Sequence, residues 1–376
     1  MKIAIITSRY PSLDNPYNHM FVHMRSKEFV RKGEKVEVFV PSRATHEYVF
    51  EGISVKHMPS KDMIQYLSNY DVLYLHLLHI YPFMQQDGWP IYKSIMKNKF
   101  PCVMYVHGSE VQKYSARPFD ANNSILGILR RIKKDFLLVY FMRKFANFHK
   151  VNKSLFFLFP SLWMKKEMEK NLEVEVSNFE LIPNGIETNL FTFSNLVSKR
   201  FKLISLRPLS SMKYAVDIAI ETVRLLPKEY TLDIFGKGKY EKVFQELINK
   251  YSLEDRITIH NTFINKHDMP EHFSGYGVSL STTRMDAQGV SMCEAMSSGL
   301  LTVSNNNTAI PEFISDMETG ILGNSPQELA DKILTVTSDK ELFENITQQG
   351  RETMEKIDVK LTCKQELKIL KEIAKR

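Results

Sequence analysis

Cysteine is scarce in this 376-residue chain: Cys102, Cys293 and Cys363 are all it has, and no two form a C-x-x-C pair. An odd number at wide spacing argues against a disulfide framework or a zinc site and fits a reducing compartment. Long apolar runs are also missing, and nothing approaches the ~20 residues of a membrane span. The N-terminus, MKIAIITSRYPS, has too short an apolar run for a signal-peptide core and reads as a buried first strand. Glycine and proline, 15 of each, are not enriched, and there is no repeat or low-complexity tract. Neither SRYPSLDNPYNHM nor LRPLSSMKYAV, the turns after the first strand of each half, contains G-x-G-x-x-G, which disfavours a dinucleotide redox enzyme. No P-loop, G-x-S-x-G, H-E-x-x-H or D-x-D sequence occurs.

The composition is that of a globular protein, with 43% hydrophobic and 25% charged residues. The net charge of +7 is uneven. Residues 1–185 hold 26 Lys+Arg against 17 Asp+Glu, and the remainder holds 24 against 26. Basicity confined to the first half points to an anionic partner there.

Short apolar runs alternate with amphipathic segments. Strands are expected at 2–8, 35–41, 71–77, 101–107 and 155–159, apolar on both faces as in a covered parallel sheet. A helix is expected from Phe21 to Lys32, with Gly33 placed to stop it. Residues 185–201 are polar and aperiodic and read as a linker. The pattern then restarts, with strands at 202–206, 231–235, 257–263, 278–281 and 301–304 and helices at 214–226 and 241–251. This predicts an α/β protein of two Rossmann-like domains facing a cleft, 1–188 and 189–358, followed by a last helix, 359–376.

One segment, MDAQGVSMCEAMSSG at 285–299, concentrates candidate chemistry. Asp286 lies past a strand, Gly289 permits close backbone approach, and Ser291 is placed to begin a helix that Gly299 ends. Amides at Gly289, Val290 and Ser291 would then point outward at a helix N-terminus, which suits a diphosphate. Glu294, one turn in, has the acceptor oxygens that a ribose diol needs. The structural alternatives stay open: Ser291 and Glu294 form an S-x-x-E capping box, and Asp286 alone reads as a solvated loop residue.

This segment resembles the signature of family-4 retaining glycosyltransferases, which have the GT-B fold: two acids separated by seven residues, glycine three after the first, and EAM beginning at the second. SGLLTVSNNNTAIPEFI, with Pro311 and Glu312, resembles its continuation. LIPNGIETNLF (181–191), Arg207, Lys213, DIFGKG (233–238, with Gly236) and YVHGSE (105–110) resemble further family segments. Three departures stand out. Asp286 replaces the usual Glu and is one methylene shorter, Gln288 replaces an aromatic, and Arg207 to Lys213 is one residue longer than usual.

The resemblance implies that Glu294 holds the ribose, Arg207 and Lys213 the diphosphate and Asp286 the sugar, while His107 contacts the sugar from the opposite domain. It implies retention of configuration, a last helix, 359–376, that returns to the first domain, and a nucleotide-sugar donor, UDP being the commonest nucleotide. The acceptor is expected to be a glycan or a lipid-linked molecule of cell-surface polysaccharide synthesis. Because fixed cations and helix amides can replace a D-x-D metal, no metal and no cofactor is expected. His76 and His79 lack an accompanying carboxylate and read as a strand edge, not as metal ligands. Two alternatives remain, a nucleotide-sugar epimerase and a non-catalytic GT-B partner subunit.

Residues 130–153, RRIKKDFLLVYFMRKFANFHKVNK, carry eight Lys+Arg and one acid around an apolar centre. They read as a basic amphipathic surface for an anionic membrane or as a buried helix with solvated basic ends. Nucleic-acid binding is not expected, since no such motif accompanies them. A cytoplasmic protein, peripheral on the inner face of the membrane, would fit.

Overall fold

The computed structural model describes residues 1–15, 18–80, 87–120 and 124–376, so the first turn and the stretch LHLLHIYP run partly outside them. The chain forms two compact units, Met1–Asn184 with Val359–Arg376, and Gly185–Asp358.

Unit 1 is built on eight strands: β1 Lys2–Thr7, β2 Lys35–Pro41, β3 His46–Phe50, β4 Ile53–Met58, β5 Val72–His76, β6 Cys102–Tyr105, β7 Leu155–Phe159 and β8 Phe179–Leu181. Their order is β3-β4-β2-β1-β5-β6-β7-β8, parallel except for the β3–β4 pair. β5 and β6 are buried along their whole length, which is why their sequences show no polar face. The β3–β4 hairpin was not foreseen. It turns through Glu51 and Gly52, both at positive φ (44° and 81°), the backbone that a two-residue hairpin loop requires.

The final helix, Val359–Ile373, belongs to unit 1. It puts Val359, Cys363, Leu367, Leu370 and Ile373 into the same core as Ile3, Ile5, Val38 and Tyr74. A polar clamp lies among them. Arg25 gives Glu366 two hydrogen bonds from Nε, at 2.9 and 3.0 Å, and Tyr74 donates to the same carboxylate at 2.8 Å. Arg25 also donates to Asn184 Oδ1 at 3.0 Å and lies 4.3 Å over the Tyr105 ring. Satisfied on every side, this buried ion pair avoids the penalty of a stranded charge.

Unit 2 contains β9 Lys202–Leu206, β10 Thr231–Phe235, β11 Ile257–His260, β12 Val278–Leu280, β13 Leu301–Asn305 and β14 Ile321–Gly323. The order is β11-β10-β9-β12-β13-β14, all parallel. The chain winds from β9 out to β11 and returns on the other side of β9, so the switch point lies between β9 and β12. Ligands of open α/β sheets bind at the carboxyl ends of the strands at such a point.

Residues 185–201 are not a free linker. Ile186, Phe191 and Leu196 are buried, and Arg351 fastens the segment through the carbonyls of Thr188 and Phe191. Lack of periodicity here reflects anchoring by single side chains instead of a regular element. Among the described residues no helix is long and apolar enough to cross a membrane.

Candidate functional site

Arg207 follows β9 directly and sits at the switch point of unit 2. It is 4% exposed, and its guanidinium donates to the carbonyl of Ser281, just past β12, at 2.6 Å. Its Nε is buried and has no partner among the described residues. Burial works against its charge and Asp286 works for it, with a net lowering of its pKa. A buried cation with an unused donor is costly unless a ligand completes it.

Lys213 lies in a short 3-10 turn, Met212–Tyr214, whose shape is fixed from both ends. Its amide donates to Ser211 Oγ at 3.1 Å, and its carbonyl accepts from the Arg284 amide at 2.8 Å. The Arg284 side chain makes a two-point ion pair with Asp217, at 2.9 and 2.6 Å, and donates to the Met212 carbonyl at 2.7 Å. Arg284, which the sequence did not single out, therefore ties the Lys213 turn to the loop that carries Asp286. The Lys213 ammonium lies 5.5 Å from the Tyr214 ring centre.

Gly236, past β10, packs flat against this segment. A Cβ there would come within 2.0 Å of the Arg207 carbonyl oxygen. The Leu209 amide donates to the Lys237 carbonyl, continuing the pairing of β9 with β10. Gly236 thus supports the Arg207 backbone by close approach. Beside it, Phe235 and His260 stack at 4.4 Å with planes 10° apart.

The helix of the 285–299 segment is Val290–Ser297 and begins one residue earlier than expected. Gly289 is its N-cap, at φ 78°, a conformation that disfavours a side chain. Ser291 is therefore inside the helix, and the S-x-x-E capping box does not form, there being no side-chain cap. Asp286 takes part of that role. Its Oδ1 accepts from the amides of Gly289 at 3.0 Å and Gln288 at 3.3 Å. The Gly289 amide is thus occupied, contrary to expectation. The first intrahelical bond runs from Cys293 to the Gly289 carbonyl, so the amides of Val290, Ser291 and Met292 precede it.

Glu294 is buried at 7% exposure and faces Lys266, whose ammonium is 3.7 Å from its carboxylate and 2.6 Å from that of Glu187. Burial, opposed by Lys266, raises its pKa to about 7. Lys266 was not anticipated, because it reaches Glu294 only through the fold. Arg207, Lys213, Gly236 and Asp286 gather at the ends of β9, β10 and β12, and Glu294 lies one helical turn in from the free amides.

His107 belongs to unit 1, just past β6. Its Nε2 is 3.0 Å from His76 Nδ1, and its ring stacks on Tyr105 at 4.6 Å. Burial, His76 and Arg25 hold its pKa well below the ordinary histidine value. The next turn is shaped by buried Glu110, which accepts from the amides of His107 at 2.5 Å and Gly108 at 3.0 Å. Gly108 has φ 132°. At the ends of β1, β2 and β4 a cavity of about 370 Å³ is lined by Arg9, Asn15, Asn18, Ser42, Arg43 and His57, with no carboxylate. Among the described residues His57 Nε2 is buried without a partner.

The two largely parallel sheets and a last helix that belongs to unit 1 match the GT-B fold. HepE of Anabaena in complex with UDP superposes with a TM-score of 0.76 at 17% identity, covering 99% of this chain and 100% of that one. Sucrose-phosphate synthase of Thermosynechococcus elongatus gives 0.75 at 14% identity, over 99% and 98%. Residues 187–353 match the family model of glycosyl transferases group 1. A putative colanic acid biosynthesis glycosyltransferase, WcaL of Salmonella typhimurium, is 28% identical over 182 residues, 45% of this chain and 44% of that protein. The chain thus spans less than half the length of the curated relatives it matches.

Proposed function

We propose that this chain is a retaining glycosyltransferase that moves a hexosyl-type sugar from a nucleotide-diphosphate sugar, UDP-linked, to a glycan or lipid-linked acceptor. The observation that carries this reading is Arg207, a buried cation with an unpartnered donor at the switch point of unit 2. A diphosphate bridging Arg207, Lys213 and the amides of Val290 to Met292 would supply the missing partner, and the same groups would stabilise charge on the leaving nucleotide without a metal. Glu294 would accept from the ribose hydroxyls in competition with Lys266. Asp286 would orient the sugar, and His107 would serve catalysis. HepE, of the same fold, was crystallised with UDP, and WcaL is named as a putative colanic acid biosynthesis glycosyltransferase.

The acceptor belongs to unit 1 in this reading. The Arg9 and Arg43 cavity suits a phosphate-bearing acceptor, as of a lipid carrier reached from the cytoplasmic face of a membrane. One observation favours a second reading. Asp286 already caps a helix, as it would in a partner subunit that binds donor without transferring it.

Calorimetry with UDP tests the donor site. Wild type should bind, and Glu294→Ala and Arg207→Ala should each weaken binding tenfold or more. Equal binding by Glu294→Ala would remove the ribose role. Transfer or hydrolysis of UDP-sugar by the purified chain, unchanged by chelator, would separate an enzyme from a binding subunit.

A further inference from the structure

The helix Ile125–Asn147 has apolar residues on two opposite sides. On one side Leu138, Met142, Phe145 and Ala146 are buried in unit 1, and Phe145 meets Tyr92 edge to face at 4.5 Å. On the other, Ile125, Leu129, Ile132, Phe136 and Tyr140 follow at steps of four, three, four and four. At 3.6 residues per turn these steps form a single stripe. All five are between 57% and 79% exposed. Phe136 and Tyr140 stack on each other at 6.3 Å, completing each other's surface but not covering it. No residue from Ile125 to Leu137 is buried. Single exposed apolar side chains are ordinary, but a contiguous stripe over four turns marks an interaction surface.

Charge selects the partner. Arg130, Lys133 and Lys144 are exposed and border the stripe on one side. The lone acid of the helix, Asp135, is turned inward, where it accepts from the amides of Tyr114 at 2.5 Å and Ser115 at 3.1 Å. It therefore does little to offset the basic border. A second copy of this chain would bring the same basic border against this one, so like-charge repulsion opposes self-association. An anionic lipid surface offers both an apolar layer for the stripe and phosphates for the border.

We infer that the stripe Ile125–Tyr140 seats in the interfacial layer of a membrane rich in anionic phospholipid, with Arg130, Lys133 and Lys144 against the lipid phosphates. This differs from the 130–153 surface expected from the sequence. It starts five residues earlier, and Phe145, Ala146 and His149 towards the end of that stretch are buried in unit 1. The inference deepens the lipid-carrier part of the proposed function, yet it rests on the helix alone and not on transfer chemistry.

Flotation of the full chain with vesicles of phosphatidylcholine, with and without phosphatidylglycerol, is the test. Binding is expected only when phosphatidylglycerol is present and should fall at high salt. Ile132→Asp with Phe136→Asp should abolish it. Arg130→Glu with Lys144→Glu should weaken it by at least about tenfold. All four positions are exposed, so the variants should keep the wild-type melting temperature and UDP affinity. That affinity also keeps a failure here distinct from a failure of the donor site. Should the Ile132 and Phe136 variant unfold, the charge variant alone decides. No flotation, equal flotation with phosphatidylcholine alone, or a dimer in light scattering that the Ile132 and Phe136 variant dissolves would each overturn the inference.

Discussion

His76 Nδ1 lies 3.0 Å from His107 Nε2, and the other nitrogen of His76 is buried without a partner among the described residues. Burial holds both rings neutral at physiological pH. A neutral histidine has one N–H, and an orphaned buried donor is rarer than an orphaned acceptor. The proton of His76 therefore belongs on Nδ1, donated to His107 Nε2. The proton of His107 is then forced onto Nδ1, the nitrogen left for a ligand. His76 in this arrangement positions His107.

Nitrogen NMR should find both histidines as Nδ1–H tautomers at neutral pH. His76→Leu should release His107 to exchange tautomers and lower kcat with little change in KM. An unchanged His107 tautomer in that variant would remove the positioning role.

Glu294 should make the stability of unit 2 depend on pH. Its folded pKa of about 7 lies above the ordinary 4.5, chiefly through burial. Between those values the folded protein holds a proton that the unfolded chain has released. The contribution is therefore full below about 4.5 and is lost as pH rises through about 7. Glu294→Gln should flatten that part of the pH–melting curve. If the ionised carboxylate receives the ribose, UDP affinity relative to Glu294→Gln should rise by up to about tenfold per pH unit below 7. Parallel curves for the two proteins would argue against both effects.

Arg25 and Glu366 join the first helix of the chain to the last. Arg25→Met leaves a buried carboxylate facing Tyr74 alone and should cost about 3–5 kcal/mol. Replacing both, Arg25→Met with Glu366→Met, should recover much of that loss. Urea denaturation of the two variants measures the difference. A double variant as unstable as the single one would mean that shape, and not charge, governs the contact.

Legibility in the sequence followed burial. β5 and β6 are covered on both faces, and a run such as VLYLH admits few other readings. β3 is an edge strand with exposed His46, Glu47 and Val49, so its alternation has no strong apolar face. The three residues of β14 are too few to show a period. In the candidate site, Arg207 and Glu294 were singled out through motif resemblance. Lys266 sits in a polar loop and acquires its meaning only when the fold brings it to Glu294. Ser291 misled because S-x-x-E states a spacing, whereas the helix start was decided by the positive φ of Gly289 and by Asp286 three residues earlier.

The chain enters unit 2 at Gly185 and leaves it at Asp358. There Ile186 pairs with Asp358, and Thr188 Oγ1 donates to the Asp358 carboxylate at 2.5 Å. Unit 2 is thus an insertion with adjoining ends, complete before the ribosome makes the last helix. Unit 1 starts first but cannot close its core until Glu366 and Leu370 emerge. The usual N-to-C order of domain maturation is reversed, and a stop codon after residue 358 would cripple the unit at the opposite end of the message.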